Sequence, residues 1–268
     1  MTQAVATTAP KERSSFALVV GDCGVLVGRS LRHLTRSMDQ MIQAVALPVM
    51  LLLLFRYMFG GAIDTGGPSY VNYLIAGIVV LSVAFSASAT SVGVASDLQN
   101  GIVDRFRSMP MFGPAVLVGH VVSASLRNIL SVVMVIGVGY LVDFRPNATA
   151  SEWLAVCGIL LVFLVAIAWI ATLFGVIAGS VEAASGYSMI LVFLPYASSA
   201  LVPADGMPTV LRVIVENQPF TPVVDAVRAL LIGTPVGNSA WVALAWWVPI
   251  LLVTSVFTMR VFHRHTNK

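Results

Sequence analysis

The stretch WLAVCGILLVFLVAIAWIATLFGVIAG, residues 153–179, decides the class of this chain. It carries no charged side chain. It is also too long and too uniformly apolar for a strand of a β-barrel, in which apolar and polar residues alternate. A helix needs roughly 20 apolar residues to cross the hydrocarbon core of a bilayer. The stretch therefore predicts a transmembrane α-helix.

The rest of the chain has the same character. Of its 268 residues 58% are hydrophobic and only 10% are charged, which is typical of a multi-pass membrane protein and not of a soluble domain. We predict an all-α membrane protein: a polar, flexible tail at 1–13, followed by a single transmembrane domain at 14–268. The six predicted spans lie near residues 40–58, 70–95, 116–141, 153–179, 186–203 and 240–261.

Basic residues set the predicted orientation. With the N-terminus in the cytoplasm, roughly ten Lys and Arg residues fall inside and about four fall outside, in agreement with the positive-inside rule. An even number of spans then places both termini in the cytoplasm. The net charge of +3 requires no nucleic-acid partner, since the basic residues cluster at span ends, where anionic lipid headgroups attract them.

Arg29, Arg32 and Arg36 recur at helical spacing just before the first span. The pattern fits an amphipathic helix that lies in the cytoplasmic interface. A simple basic anchor that fixes the topology fits equally well.

The segment DLQNGIVDRFRSMP, residues 97–110, interrupts the apolar pattern between the second and third spans. Its charges must leave the lipid, because unpaired charge at bilayer depth is costly. Ile102, Phe106 and Met109 share one face of a short helix. We favour a cytoplasmic docking helix over a solvated loop, by analogy with helix-in-groove recognition.

Several polar and aromatic residues inside the spans are candidates for a substrate path. The hydroxyl residues of the second span allow close helix contact or line such a path, and packing is the favoured role. We name Phe85, Ser86, Phe193 and Tyr196 as path candidates, although such side chains more often pack. Arg127 lies inside the third span, where we favour snorkelling or a structural pair over substrate contact. The hydroxyl residues are Ser82, Ser86, Ser88, Thr90 and Ser91.

Two connections carry further signals. Gly175 and Gly179 form a Gly-x-x-x-Gly match, which permits close helix contact but often arises by chance. The short turn after them contains Glu182, a candidate for a second cytoplasmic contact.

The region 203–239 is too long for a turn and too rich in proline for one span. We predict two short extracellular helices, 210–215 and 223–232, which dip into the outer leaflet and return. Pro219 and Gly233 act as breakers. Asp225 and Arg228 are three residues apart and should pair on one helix face.

Lys occurs only at positions 11 and 268, so a P-loop for ATP cannot form in this chain. The sequence also contains no metal-binding cluster of His and Cys and no recognisable nucleophile–base set. We therefore expect no catalytic residue, no metal and no bound cofactor, and expect another protein to supply the energy. An ion-gradient-driven transporter or channel is the alternative, which few intramembrane carboxylates disfavour; a membrane-bound enzyme ranks last.

Taken together, these segments resemble the ABC-2 type permeases, and most closely the daunorubicin-resistance group of actinobacterial exporters. Residues 97–110 look like the family's cytoplasmic loop. Arg36-Ser-Met-Asp39-Gln40 looks like its opening, and 217–233 looks like its extracellular helix pair. The resemblance covers roughly residues 15–262.

The resemblance implies a six-span subunit of an ATP-driven exporter for an amphiphilic drug, lipid or glycolipid in the bacterial cytoplasmic membrane. Two ATPase subunits would bind ATP and Mg²⁺, and a second permease, identical or homologous, would complete the unit. A coupling helix would seat in the ATPase. The residues assigned to this coupling loop are Asp97, Gln99, Asn100, Gly101, Ile102, Asp104, Arg105, Phe106, Arg107, Met109 and Pro110.

Overall fold

The computed structural model describes residues 38–61, 69–100, 115–203 and 207–266, and the regular elements in these ranges are all helical. This confirms the all-α prediction for the described ranges. A π-helical segment, Phe55–Phe59, extends the first helix, and a 3₁₀ turn, Leu194–Ala197, extends the fifth. The α-helices are α1 Met38–Leu54, α2 Tyr70–Gln99, α3 Ala115–Leu141, α4 Ala150–Ile177, α5 Val181–Phe193, α6 Thr209–Glu216, α7 Phe220–Ile232 and α8 Ser239–Thr266.

Four of the described helices, α2, α3, α4 and α8, are long and apolar enough to cross a membrane. They coincide with four of the six predicted spans. The predicted spans at 40–58 and 186–203 correspond to shorter apolar helices, Ala44–Phe59 and Val181–Ala197. The six-span arrangement therefore stays a prediction.

Helix α2 forms the centre of the bundle. It packs against α1, α3, α4, α5 and α7, and 78% of its most apolar window is buried, compared with 17% for α8.

Three aromatic rings join α4, α7 and α8 on one side of α2. Phe163 lies 4.7 Å from Trp247 and 5.8 Å from Phe220 between ring centroids, in edge-to-face geometry. Because only 17% of the most apolar window of α8 is buried, much of this helix faces outward, where lipid would cover it.

Two glycines allow α2 to approach its neighbours closely. A Cβ at Gly175 of α4 would lie 2.6 Å from the Ser91 carbonyl oxygen and 2.6 Å from Val94 Cβ on α2. A Cβ at Gly77 would overlap the Ala200 carbonyl. By contrast, a Cβ at Gly179 would meet nothing within 4 Å, so only the first glycine of the Gly-x-x-x-Gly match is needed for close helix approach.

The helix ends follow local sequence signals. Thr149 and Glu152 form a reciprocal capping box at the start of α4. Gly233 adopts a left-handed φ of 79° at the end of α7, a conformation that glycine accepts at little cost. The two helices predicted in the 203–239 region are confirmed as α6 and α7, whereas their dip into the outer leaflet stays a prediction.

Candidate functional site

A cavity of about 1140 Å³ lies among α1, α2, α3 and α5. It occupies the end of the bundle at which α2 finishes and α3 begins. Its wall is apolar where α1 and α5 contribute, through Ala44, Ala46, Leu47, Met50 and Val192. Its polar wall comes from α2 and α3, through Ser86, Ser88, Thr90, Ser96, Asp97, His120, Ser123 and Arg127.

Arg127 projects from α3 onto this wall. Its Nη2 donates a hydrogen bond to Thr90 Oγ1 on α2, with a donor–acceptor distance of 2.9 Å. Its Nε is buried and has no hydrogen-bond partner. The Thr90 bond fits the structural pair that the sequence favoured, but the position on the cavity wall keeps the substrate-contact alternative open.

Asp97 and His120 form a second contact between α2 and α3. His120 Nε2 lies 3.0 Å from Asp97 Oδ2, and both side chains are about three-quarters buried. His120 precedes Arg127 by seven residues, which is about two helical turns or roughly 10 Å along the axis. The pair therefore lies closer than Arg127 to the end of the bundle at which α2 finishes.

Ser86 links the cavity wall to the helix packing behind it. Its hydroxyl donates to Asn128 Oδ1 of α3, and Asn128 is almost fully buried. The amide nitrogen of Asn128 has no hydrogen-bond partner. Two neighbouring residues of α3, Arg127 and Asn128, thus each hold a donor nitrogen without an acceptor.

Two of the four predicted path residues line the cavity, and the other two lie beside it. The lining residues are Phe85 and Ser86, and the Phe85 ring lies 6.3 Å from Tyr196 in edge-to-face geometry. Phe193 and Tyr196 lie at the end of α5, with their ring centroids 6.4 Å apart. The three aromatic rings therefore form a contiguous group beside the cavity, while their role in transport stays a prediction.

The end of α2 contacts the turn between α4 and α5. Gln99 Nε2 donates to the Gly179 carbonyl at 3.3 Å, and Asn100 Nδ2 bonds to Ser96 Oγ. Glu182 lies exposed in the first turn of α5, immediately after this contact. The structure thus brings the start of the predicted coupling loop close to the predicted second contact.

The remainder of the coupling loop, Gly101 to Pro110, lies outside the described residues. The same holds for Arg29, Arg32 and Arg36 of the predicted interfacial helix. Their assignments stay predictions.

Arg228 connects α7 to α2 at the opposite end of the bundle. It lies 2.9 Å from Asp225 Oδ1, which confirms the predicted pair, and donates to the carbonyls of Tyr73 and Ser199. Its guanidinium carbon lies 3.6 Å from the centroid of the Tyr73 ring. Trp247 donates to the Pro219 carbonyl at 2.9 Å, so the breaker at Pro219 is held against α8.

Sequence reasoning missed the contacts that join α2 to α3. Thr90–Arg127, Asp97–His120 and Ser86–Asn128 connect residues between 23 and 42 positions apart. The available signal was that these polar residues lie at matching depths of two consecutive helices. Among the described residues, no group of three or more His, Cys, Asp or Glu side chains is placed to hold a metal ion.

A bundle with four helices long and apolar enough to cross a bilayer defines the class of multi-pass helical membrane proteins. The sequence pattern of the ABC-2 type transporter family matches residues 22–232. The chain belongs to the ABC-2 type transporter family.

Named relatives agree with this assignment. The chain is 30% identical to a daunorubicin resistance ABC transporter permease protein of Streptomyces coeruleorubidus, over 88% of this chain and 86% of the relative. It is 20% identical to a probable doxorubicin resistance ABC transporter permease protein of Mycobacterium tuberculosis, over 93% of this chain and 91% of that relative.

Proposed function

We propose that this chain is the permease subunit of an ATP-driven exporter that moves an amphiphilic drug, lipid or glycolipid out of the bacterial cytoplasm. The cavity carries this proposal. Its lining combines apolar side chains, from α1 and α5 among others, with the hydroxyl groups and charges of α2 and α3, so both parts of an amphiphile find matching chemistry in it. The relatives named for daunorubicin and doxorubicin resistance support an amphiphilic molecule as cargo, without fixing the sign of its charge.

A separate ATPase would supply the energy by binding ATP and Mg²⁺. The proposed contact is the 97–110 loop, with Glu182 as a second contact. The bond from Gln99 to Gly179 supports this arrangement, because it ties the start of the loop to the turn before Glu182. A force on the loop would reach α2, and α2 packs against five other helices.

The working assembly would contain two permeases, identical or homologous, and two ATPase subunits. In the proposed topology α1 and α5 complete a set of six spans, and both termini face the cytoplasm. The cavity would then open toward the cytoplasmic half of the bilayer. The helix pair α6 and α7 would lie in the outer leaflet.

The test is reconstitution of the chain with its ATPase in liposomes. Phe106→Asp should abolish substrate-stimulated ATP hydrolysis and ATP-dependent transport while the permease still inserts, because a charge replaces the apolar side chain proposed to dock. Ser108→Asp is the matched control: it adds the same charge to the same loop without removing an apolar group, and should cost far less.

Two results would contradict the proposal. Full substrate-stimulated ATPase activity of Phe106→Asp would remove the docking role of the loop. Rapid solute movement by the chain alone, without nucleotide, would instead favour an ion-gradient-driven transporter or channel.

A further inference from the structure

The guanidinium of Arg127 faces the cavity and has more N–H donors than there are acceptors around it. A guanidinium carries several N–H groups and no acceptor, and here one hydrogen bond is made, to Thr90. The Nε donor is buried without a partner. The ion pairs among the described residues engage other cations, namely His120, Arg145, Arg212 and Arg228.

The free-energy cost of the Arg127 charge at this position depends on which solute occupies the cavity. A charged side chain inside a membrane-spanning helix is costly unless it is paired or faces a polar pathway. Arg127 meets the second condition through the cavity wall, but no carboxylate of the described ranges pairs with it. An anion in the cavity would supply the missing acceptors.

Among the described residues, Asp97 is the acidic residue that lines the same cavity, and its carboxylate lies 3.0 Å from His120. This pair lies roughly 10 Å from Arg127 along α3. The deeper polar part of the cavity therefore carries the positive charge of Arg127. The hydroxyls of Ser86 and Thr90 contribute neutral polar groups to the same cavity, and Thr90 accepts a hydrogen bond from Arg127.

Resting on the exporter function proposed above, we propose that Arg127 binds the phosphate or carboxylate headgroup of the transported amphiphile, and that the cavity selects anionic over neutral or cationic amphiphiles. A planar guanidinium matches the oxygens of either headgroup. The apolar side chains of Ala44, Leu47 and Met50, which α1 contributes to the same cavity, receive the hydrocarbon part.

The test compares binding of three lipids with identical acyl chains to the detergent-solubilised chain by native mass spectrometry. The lipids are dioleoyl phosphatidic acid, dioleoylglycerol and dioleoyl trimethylammonium propane. Phosphatidic acid should bind at least roughly tenfold more tightly than the other two, as charge-assisted hydrogen bonds imply. Inorganic phosphate is the fourth probe, and it should compete only weakly, because it lacks the acyl chains.

The variants test whether Arg127 is the cause. Arg127→Gln should remove the headgroup preference, and Arg127→Lys should retain part of it. Arg212→Gln, which removes an exposed arginine of α6, should leave the preference unchanged. A purely structural role for Arg127 would alter stability and leave the ratio of affinities for the three lipids as it was.

Three results would overturn the inference: equal binding of the three lipids by the unmodified chain, an unaltered preference in Arg127→Gln, or displacement of phosphatidic acid by equimolar inorganic phosphate. The first of these results, equal binding of the three lipids, is measured on the unmodified chain. It can therefore refute the inference even if Arg127→Gln misfolds. The binding assay contains no ATPase. An anionic preference without ATP-driven transport therefore supports the headgroup site and rejects the exporter, whereas ATP-driven transport with unchanged selectivity in Arg127→Gln rejects the site and keeps the exporter.

Discussion

Gly175→Ala should weaken the contact between α2 and α4 at the level of the cavity. The added methyl group would lie 2.6 Å from both the Ser91 carbonyl oxygen and Val94 Cβ. The first of these atoms belongs to the backbone and cannot rotate away, so the two helices must separate or bend. Overpacking of this kind costs about 1–3 kcal/mol in free energy of unfolding. We expect the upper part of that range, because separation also loses dispersion contacts along the interface.

Gly158→Ala is the matched control on the same helix. A Cβ at Gly158 meets nothing within 4 Å, so the substitution adds a methyl group without a collision. It should leave stability unchanged or raise it by up to ~1 kcal/mol, since alanine favours a helix over glycine. The pair thus separates steric conflict from helix propensity.

The assay is reversible unfolding in mixed micelles at increasing dodecyl sulfate fraction, followed by tryptophan fluorescence. The two variants should differ by at least ~1 kcal/mol. If they unfold within ~0.5 kcal/mol of each other, the close approach of α2 and α4 at Gly175 is wrong. A Val94→Ala change in the Gly175→Ala background should recover little of the loss, because the Ser91 carbonyl oxygen and the Cβ that alanine keeps at position 94 both remain 2.6 Å from the new methyl.

Three further substitutions probe the other contacts, each by the same unfolding assay. Phe163→Ala should cost about 3–5 kcal/mol, because it empties the centre of the aromatic cluster that joins α4, α7 and α8. Arg228→Met should cost about 2–3 kcal/mol, less than a fully buried pair, because Asp225 is 40% exposed. Thr90→Val should cost about 1–3 kcal/mol by removing the acceptor of Arg127.

The long helices were predictable from hydropathy, but their ends were not. The prediction placed one span at 153–179, whereas α4 occupies Ala150–Ile177. Its first turn is polar and is fixed by the capping box of Thr149 and Glu152, which a search for apolar runs overlooks. Similarly, α2 continues to Gln99, past the predicted end at 95, because a helix persists wherever its backbone remains hydrogen-bonded.

The local part of the site was predictable and the long-range part was not. Asp225 and Arg228 are three residues apart, so helical geometry alone brings them together. The contact of Arg127 with Thr90 depends on the rotation and relative depth of two helices. These quantities follow from packing of the whole bundle, to which a single sequence window gives no access.

The hydroxyl residues of α2 show where hydropathy stops being informative. Their sequence pattern predicts packing residues, and Ser91 fits this role, since it bonds to the Ala184 carbonyl of α5, whereas Ser82 bonds to the Val79 carbonyl of its own helix. Ser86 and Thr90 instead lie on the cavity wall, where they contact Asn128 and Arg127. The four side chains have similar polarity and size, so their sequence pattern is the same for both roles. The group on the facing helix distinguishes Ser91 from Thr90. Ser91 donates to a backbone carbonyl of α5, which satisfies its hydroxyl. Thr90 accepts from Arg127, whose guanidinium has further donors beside the cavity that a ligand can use.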